Sequence, residues 1–308
     1  MTILKILKRI TLLSSLFLSP NLWACVDLSL NVVYSSFDLT SSPTANLPLK
    51  VSRKNKGQGC TYFLGFERGS SPTYDRKLYN GTNTVDFQLY KDGSFSAPLK
   101  DGNDISSTAE RIAGNFPFGG NGPTENTENF YAVLTPPTSF KPIGTYTDTF
   151  VINLYRFFFG FYFLADSGSM TFTYTIPAMV SLSIVPPGQP HDPNSTGLLL
   201  DFGVLNENES KNFDTLVLSN TDYEIKVSSQ NGGKLQHQSV SQKINYEFTF
   251  NGTPFNLTPP GAATTVVTGV GPTPPNGDRY SGNVQIGSLT NKVAGTYEDT
   301  VTITVEAF

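Results

Sequence analysis

Few residues of this 308-residue chain have the types and spacing that chemistry needs. Its two histidines, His191 and His237, and its two cysteines, Cys25 and Cys60, are too scattered to form a zinc ligand cluster. Both histidines are expected at the surface, one in a Pro-rich loop and the other in a Gln-rich turn. Asp101, Asn103 and Asp104 offer oxygens, but KDGND lacks the spaced ligands and terminal glutamate of a calcium loop and reads as a turn. Gly-x-Ser-x-Gly, His-Glu-x-x-His and phosphate-loop patterns are missing. The expectation is a protein that is not an enzyme and carries no metal or cofactor. What the chain does concentrate is apolar surface. YRFFFGFYFLAD, Tyr155 to Asp166, places five phenylalanines, two tyrosines and a leucine in twelve residues.

The first 24 residues read as a secretory signal. Lys5, Lys8 and Arg9 precede an apolar run through Leu12, Leu13, Leu16, Phe17 and Leu18, then Pro20 and the small residue Ala24. Cleavage after Ala24 makes Cys25 the first mature residue. Leu-Trp-Ala-Cys also resembles a lipoprotein processing site, with Trp23 too bulky for a good one. In an oxidising compartment a Cys25–Cys60 disulfide is the default, closing a loop of about 36 residues worth roughly 3–4 kcal/mol. Lipidation of Cys25 would consume the same sulfur.

Losing the signal leaves 25 acidic against 18 basic residues. With so few cations and no basic stripe, nucleic acid is not an expected partner. No later segment approaches the ~20 apolar residues that a membrane helix needs. These observations imply an extracytoplasmic protein, soluble or at the cell surface.

Positioning falls to β-strands. Short alternating runs separated by turn residues recur at Cys25–Val33, Thr82–Tyr90, Met170–Ile176, Asp222–Val227, Ile244–Phe250 and Thr300–Val305, which argues for all-β sandwiches. GTYTDTFVINL, from Gly144, returns as GTYEDTVTITV, from Gly295. Phe150, Ile152 and Leu154 share one face of the first copy, as Val301, Ile303 and Val305 do of the second. The repeat implies two immunoglobulin-like domains, 25–178 and 179–308, with VPPGQPHDPNSTG (Val185–Gly197) the best loop near their boundary.

The copies differ in how the chain continues beyond them. The first runs on through the aromatic stretch into SMTFTYTIPA, a further antiparallel strand. The second ends at VTITVEAF, so the second domain is expected to lack its last strand. Such a sandwich leaves unpaired backbone groups and an apolar groove that something outside the chain must fill. Its expected lining is Val301, Ile303, Val305 and Phe308, with Val180, Leu182 and Ile184 from the start of the domain.

These residues resemble a known family. The G-T-Y-x-D-T-V-T-I-T-V ending, the strand VDFQLYKDG (Val85–Gly93) and LSNTDYEIKVSSQNGGKL (Leu218–Leu235) resemble spore-coat-protein-U-like domains. The two-domain arrangement resembles the tip adhesins of archaic, Csu-type chaperone–usher pili. The sharp motifs sit in the second half and at Gly144–Leu154; apart from Val85–Gly93, residues 68–129 match little. The resemblance implies export through the periplasm to the cell surface. A periplasmic chaperone, an outer-membrane usher and an adjacent pilus subunit are the implied partners, with the groove filled by donor-strand complementation. In the family the chaperone holds a terminal carboxylate, here that of Phe308. A mature chain starting at Cys25 has no donor extension, so it is expected to accept a strand without offering one, at a fibre tip. Attachment and biofilm formation are the implied roles.

The aromatic stretch is expected as a connection from about Phe157 to Gly168, at the pole of the first domain opposite the second. Core packing and display are both open here. If displayed, Phe157, Phe158, Phe159, Phe161, Tyr162, Phe163 and Leu164 would bind a hydrophobic abiotic or host surface by burying apolar area. GNFPFGGNG (Gly114–Gly122) offers Phe116 and Phe118 either as a second finger at the same pole or as a plug of the sandwich end. Two rival classes have less behind them. An outer-membrane β-barrel needs longer, regularly alternating strands, and a secreted enzyme needs a clustered acidic pair.

Overall fold

The computed structural model describes residues 27–54, 59–119, 123–137, 140–158 and 161–308. The expected signal segment and Cys25 lie outside them, and so does the side chain of Phe158. Cys60 is disulfide-bonded. Among the described residues there is no α-helix, only single 3-10 turns at Gly102–Asp104 and Thr108–Glu110, so KDGND does form a turn.

Two compact units share the chain. The first holds the residues up to Pro136 and Thr145–Thr175, the second Pro137–Gly144 and Ile176–Phe308. Both are built from open β-sheets, in place of the barrel considered as a rival.

In the first unit, β1 (Leu28–Val32), β3 (Thr44–Arg53), β8 (Glu125–Leu134) and β6 (Asn83–Tyr90) lie side by side in one layer. The other layer holds β2 (Ser36–Asp38), β10 (Phe161–Ile176), β9 (Gly144–Phe158), β4 (Cys60–Phe66) and β7 (Ile112–Phe116), while β5 (Lys77–Asn80) joins β6 to β9. Alternation sets the faces: Ala45, Leu47, Leu49 and Val51 of β3 are buried. Rings of Phe66, Phe87, Phe130, Phe150 and Phe172 meet between the layers. Arg76 is 1% exposed without an ion pair. Its guanidinium donates to the carbonyls of Phe66, Glu67 and Leu99 and to Gln88 Oε1, and burial pulls its pKa down to about 10.

In the second unit, one sheet runs β11 (Val180–Val185), β12 (Ser210–Ser219), β18 (Asp278–Ile286), β15 (Lys243–Phe250), β14 (Lys234–His237) and β19 (Tyr297–Glu298), with β16 (Thr253–Phe255) on β15. The other has three strands: β17 (Thr264–Gly269), β13 (Tyr223–Ser229) and β20 (Val301–Ala307). Phe213, Val217, Ile225, Val227, Phe248 and Phe250 form the centre of its core.

The sequence repeat is a structural one. Gly144 and Gly295 both have positive φ, 126° and 155°, where a side chain would be strained. The repeated aspartate does the same work twice. Asp148 accepts from Ser70 N and Oγ and from Thr149 N; Asp299 accepts from Ser229 Oγ, Asn231 N, Tyr246 Oη and Thr300 N.

Three expectations need correction. The aromatic stretch is not a loop from Phe157 to Gly168: β9 runs to Phe158 and β10 starts at Phe161, so it is the paired end of a long hairpin. Aromatic residues favour extended backbone, and β9 and β10 lie side by side in the sheet. His237 is buried, not exposed. Its Nδ1 accepts from Ser239 N and Val240 N, and its ring meets Tyr297 edge-on. Phe308 is 67% exposed and does not line the groove, because it has the opposite parity to Val301, Ile303 and Val305.

Candidate functional site

Two regions stand out, one in each unit. In the first, registers fix which strand ends meet. β4 runs antiparallel to both β7 and β9, with Cys60 opposite Phe116 and Tyr62 opposite Arg156. The start of β4, the end of β7 and the end of β9 therefore share one end of the sheet. The hydroxyl pairs Thr145–Thr175 and Thr149–Thr171 set β10 antiparallel beside β9, which brings its start to that same end.

The hairpin lays part of its aromatic surface on the sheet. Tyr155 stacks on buried Phe63 at 4.7 Å, Tyr162 meets Phe63 edge-on at 4.6 Å, and Phe157 lies 5.1 Å from Tyr162. Arg111, just before β7, sits over Phe63 at 5.2 Å and Tyr162 at 5.6 Å, and donates to the Tyr162 hydroxyl at 3.4 Å. The capping turn before it is tightly held: Glu110 accepts from Ser106 and Ser107 and pairs with Lys100 at 2.7 Å. That pairing, with the amide of Ser106, holds the Glu110 carboxyl at about 2.

Phe157, Tyr162 and Phe163 remain exposed, and Phe161 and Leu164 are 69% and 57% exposed. The side chain of Phe158, and all of Phe159, lie outside the described residues. Phe118 is 81% exposed, two residues past the end of β7 and so at the same end of the unit. Phe116 is corrected. It is 1% exposed, packed on Tyr62 and capped by the Arg53 guanidinium at 4.9 Å, because strand parity turns it into the core. Arg111 and Phe63 were missed; neither carries a sequence signal, since only the β4–β7 pairing brings them under the hairpin.

In the second unit, among the described residues, β20 pairs with β13 on one edge alone and β11 with β12 alone. These two strands approach within 8 Å between Cα atoms but do not pair. Val180, Leu182 and Ile184 on β11, and Val301, Ile303 and Val305 on β20, pack against the core yet remain half-buried. Leu198, Leu200 and Phe202, which the sequence reading passed over, pack against the same core; their alternation was the available signal.

Chemistry beyond contact is sparse. Among the described residues no group of three or more His, Cys, Asp or Glu is placed to hold a metal ion. Asp101, raised by burial, accepts from Asn153 and Tyr155, and His191 lies against the Ser181 hydroxyl.

The family model described as the Spore Coat Protein U domain matches residues 33–153. The match includes the stretch 68–129, in which the sequence reading found little. A search of the curated proteins finds no match. Among solved structures, the chain is similar to the CsuC–CsuE chaperone–tip adhesion subunit pre-assembly complex from archaic chaperone–usher Csu pili of Acinetobacter baumannii. The identity is 16% over 90% of this chain and 99% of that one, with a TM-score of 0.41. It is similar to CfaE, the adhesive subunit of CFA/I fimbria of enterotoxigenic Escherichia coli, at 12% identity over 90% and 93%, TM-score 0.39. It is also similar to the CupB6 tip adhesin from Pseudomonas aeruginosa, at 11% identity over 92% and 94%, TM-score 0.40.

Proposed function

We propose that this chain is a pilus adhesin: a tip subunit of a surface fibre that attaches cells through the aromatic end of its first unit and joins the fibre through the open edge of its second. It is a binding subunit, not an enzyme. The observation that carries the reading is the half-buried apolar row on β11 and β20, six side chains over a core with no strand between them. An extended strand with alternating apolar residues would pair with the free edge of β20 and cover the row, moving β11 and β20 slightly apart to lie between them. A periplasmic chaperone would supply it first and an adjacent subunit afterwards, with an outer-membrane usher between the two steps. The exposed hairpin residues would bind hydrophobic abiotic or host surfaces and so promote biofilm formation.

The test is to add a synthetic alternating apolar strand to the full-length mature chain and monitor thermal unfolding. Covering several half-buried side chains at roughly 1 kcal/mol each should raise the unfolding midpoint by about 10 °C or more. A scrambled peptide should do nothing. Equal midpoints with and without the strand would sink the reading.

A further inference from the structure

We infer that the aromatic hairpin is built for an anionic lipid surface, with Phe161 and Leu164 among the acyl chains and Arg111 at the level of the headgroups. This rests on the adhesin reading and names the surface that it takes. The first observation is the order of side chains along the hairpin. Phe161, Tyr162, Phe163 and Leu164 follow one another along the start of β10, all exposed, with exposed Phe157 near the end of β9, and Arg111 lies behind this end. Ile112 and Leu154 both pair with Leu64, so the Arg111 backbone is level with Asn153. That is five residues back from Phe158, about 17 Å at the rise of a strand, and the guanidinium reaches forward to the Tyr162 hydroxyl. Exposed apolar and aromatic side chains at the end of the unit with a cation behind them is the order of a bilayer interface, where apolar groups enter by about 5–10 Å.

The second observation is charge. Arg111 has no carboxylate partner among the described residues, and its Nε has no hydrogen bond. Residues 39–66, 111–124 and 149–165, which supply β4, β7, the outer part of β9 and the start of β10, contain no Asp or Glu, although the chain as a whole is acidic. The carboxylates that approach this end are engaged elsewhere. Glu125 pairs with Lys50, Glu128 accepts from Tyr62, Asp166 accepts from Leu30 N, and Asp101 accepts from Asn153 and Tyr155. Asp27, at the start of β1, also has its interactions. Exposed Lys54, at the end of β3, adds a second cation to the same end. Besides holding Tyr162, a guanidinium kept clear of acids adds an attraction to an anionic headgroup layer that it does not add to an uncharged surface.

The experiment measures binding of the full-length mature chain to phosphatidylcholine vesicles and to phosphatidylcholine–phosphatidylserine vesicles by co-sedimentation. One arginine at an anionic surface predicts about fivefold tighter binding to the mixed vesicles, a ratio that shrinks as salt is raised. Arg111→Gln should lower the ratio several-fold, leaving only what Lys54 contributes, and Arg111→Lys should restore most of it, a rescue that a merely structural role would not give. Phe161→Ser with Leu164→Ser should weaken binding to both vesicles alike. A wild-type ratio near one, or Arg111→Lys behaving like Arg111→Gln, overturns the inference. Hydrocarbon-coated beads separate the two readings. Binding to beads but to no vesicle overturns the lipid inference alone, and binding to neither removes the surface role of the hairpin as well.

Discussion

The two copies of the Gly-Thr-Tyr strand have the same start, the same aspartate anchor and the same apolar alternation, yet they end in opposite circumstances. In the first, Phe150, Ile152 and Leu154 are 0%, 1% and 0% exposed, because β10 pairs alongside and buries Met170 and Phe172 with them. In the second, Val301, Ile303 and Val305 stay half-buried, because β20 has a neighbour on one edge only. The same pattern thus yields a closed wall or an open one, according to whether another strand lies next to it. In the first unit β10 also closes the gap to the opposite layer: Asp166 Oδ2 accepts from Leu30 N at 2.8 Å, and Gly168 leaves room for Val32. A Cβ at Gly168 would come within 2.6 Å of Val32 Cγ2.

The largest expected contrast is between equivalent positions of the repeat. Phe150→Ala removes a fully enclosed ring and should cost about 3–5 kcal/mol. Val301→Ala removes less, from a half-open site, and should cost about 1 kcal/mol or below. Denaturant unfolding of both variants measures it, and equal costs would break the comparison. A smaller effect is expected from Asp166→Ala, which makes the first unit imitate the second by freeing the Leu30 amide. The loss should be about 1–2 kcal/mol, with faster hydrogen exchange at Leu30; unchanged exchange would mean that the carboxylate does not close this edge.

The smallest effect is confined to acid. Glu110 is held at about 2, below its ordinary 4.5, first by Lys100 and then by the Ser106 amide. A depressed folded-state value stabilises the fold above the unfolded value, and that stability is lost as pH falls from about 4.5 through about 2. Urea midpoints of wild type and Glu110→Gln should therefore differ at about pH 7 and converge at about pH 2. A gap that persists in acid would assign Glu110 a role other than its charge.

Much of this was legible in residue order. Alternation in DYEIKV, INYEFTF and TVTITV marked strands that the structure places at β13, β15 and β20. The repeat marked a strand used twice, at β9 and β20. Less legible were positions whose fate depends on strand parity or on a distant neighbour. Phe116 and Phe118 look alike in GNFPFGGNG, but two residues on a strand and just beyond it separate a core plug from an exposed ring. His237 sits among glutamines, yet the loop at Gly295 folds over it.

The sequence by itself determined that this chain is a β-protein with two sandwiches, because periods of two and turn residues are local properties of the backbone. It also determined where apolar surface is concentrated, because composition is local too. Only the tertiary structure decided how that surface is used: Phe63 and Arg111 hold the inner part of the hairpin against the sheet, and its outer part is left to solvent. Burial of a side chain depends on what packs against it, and here that comes from strands far apart in sequence.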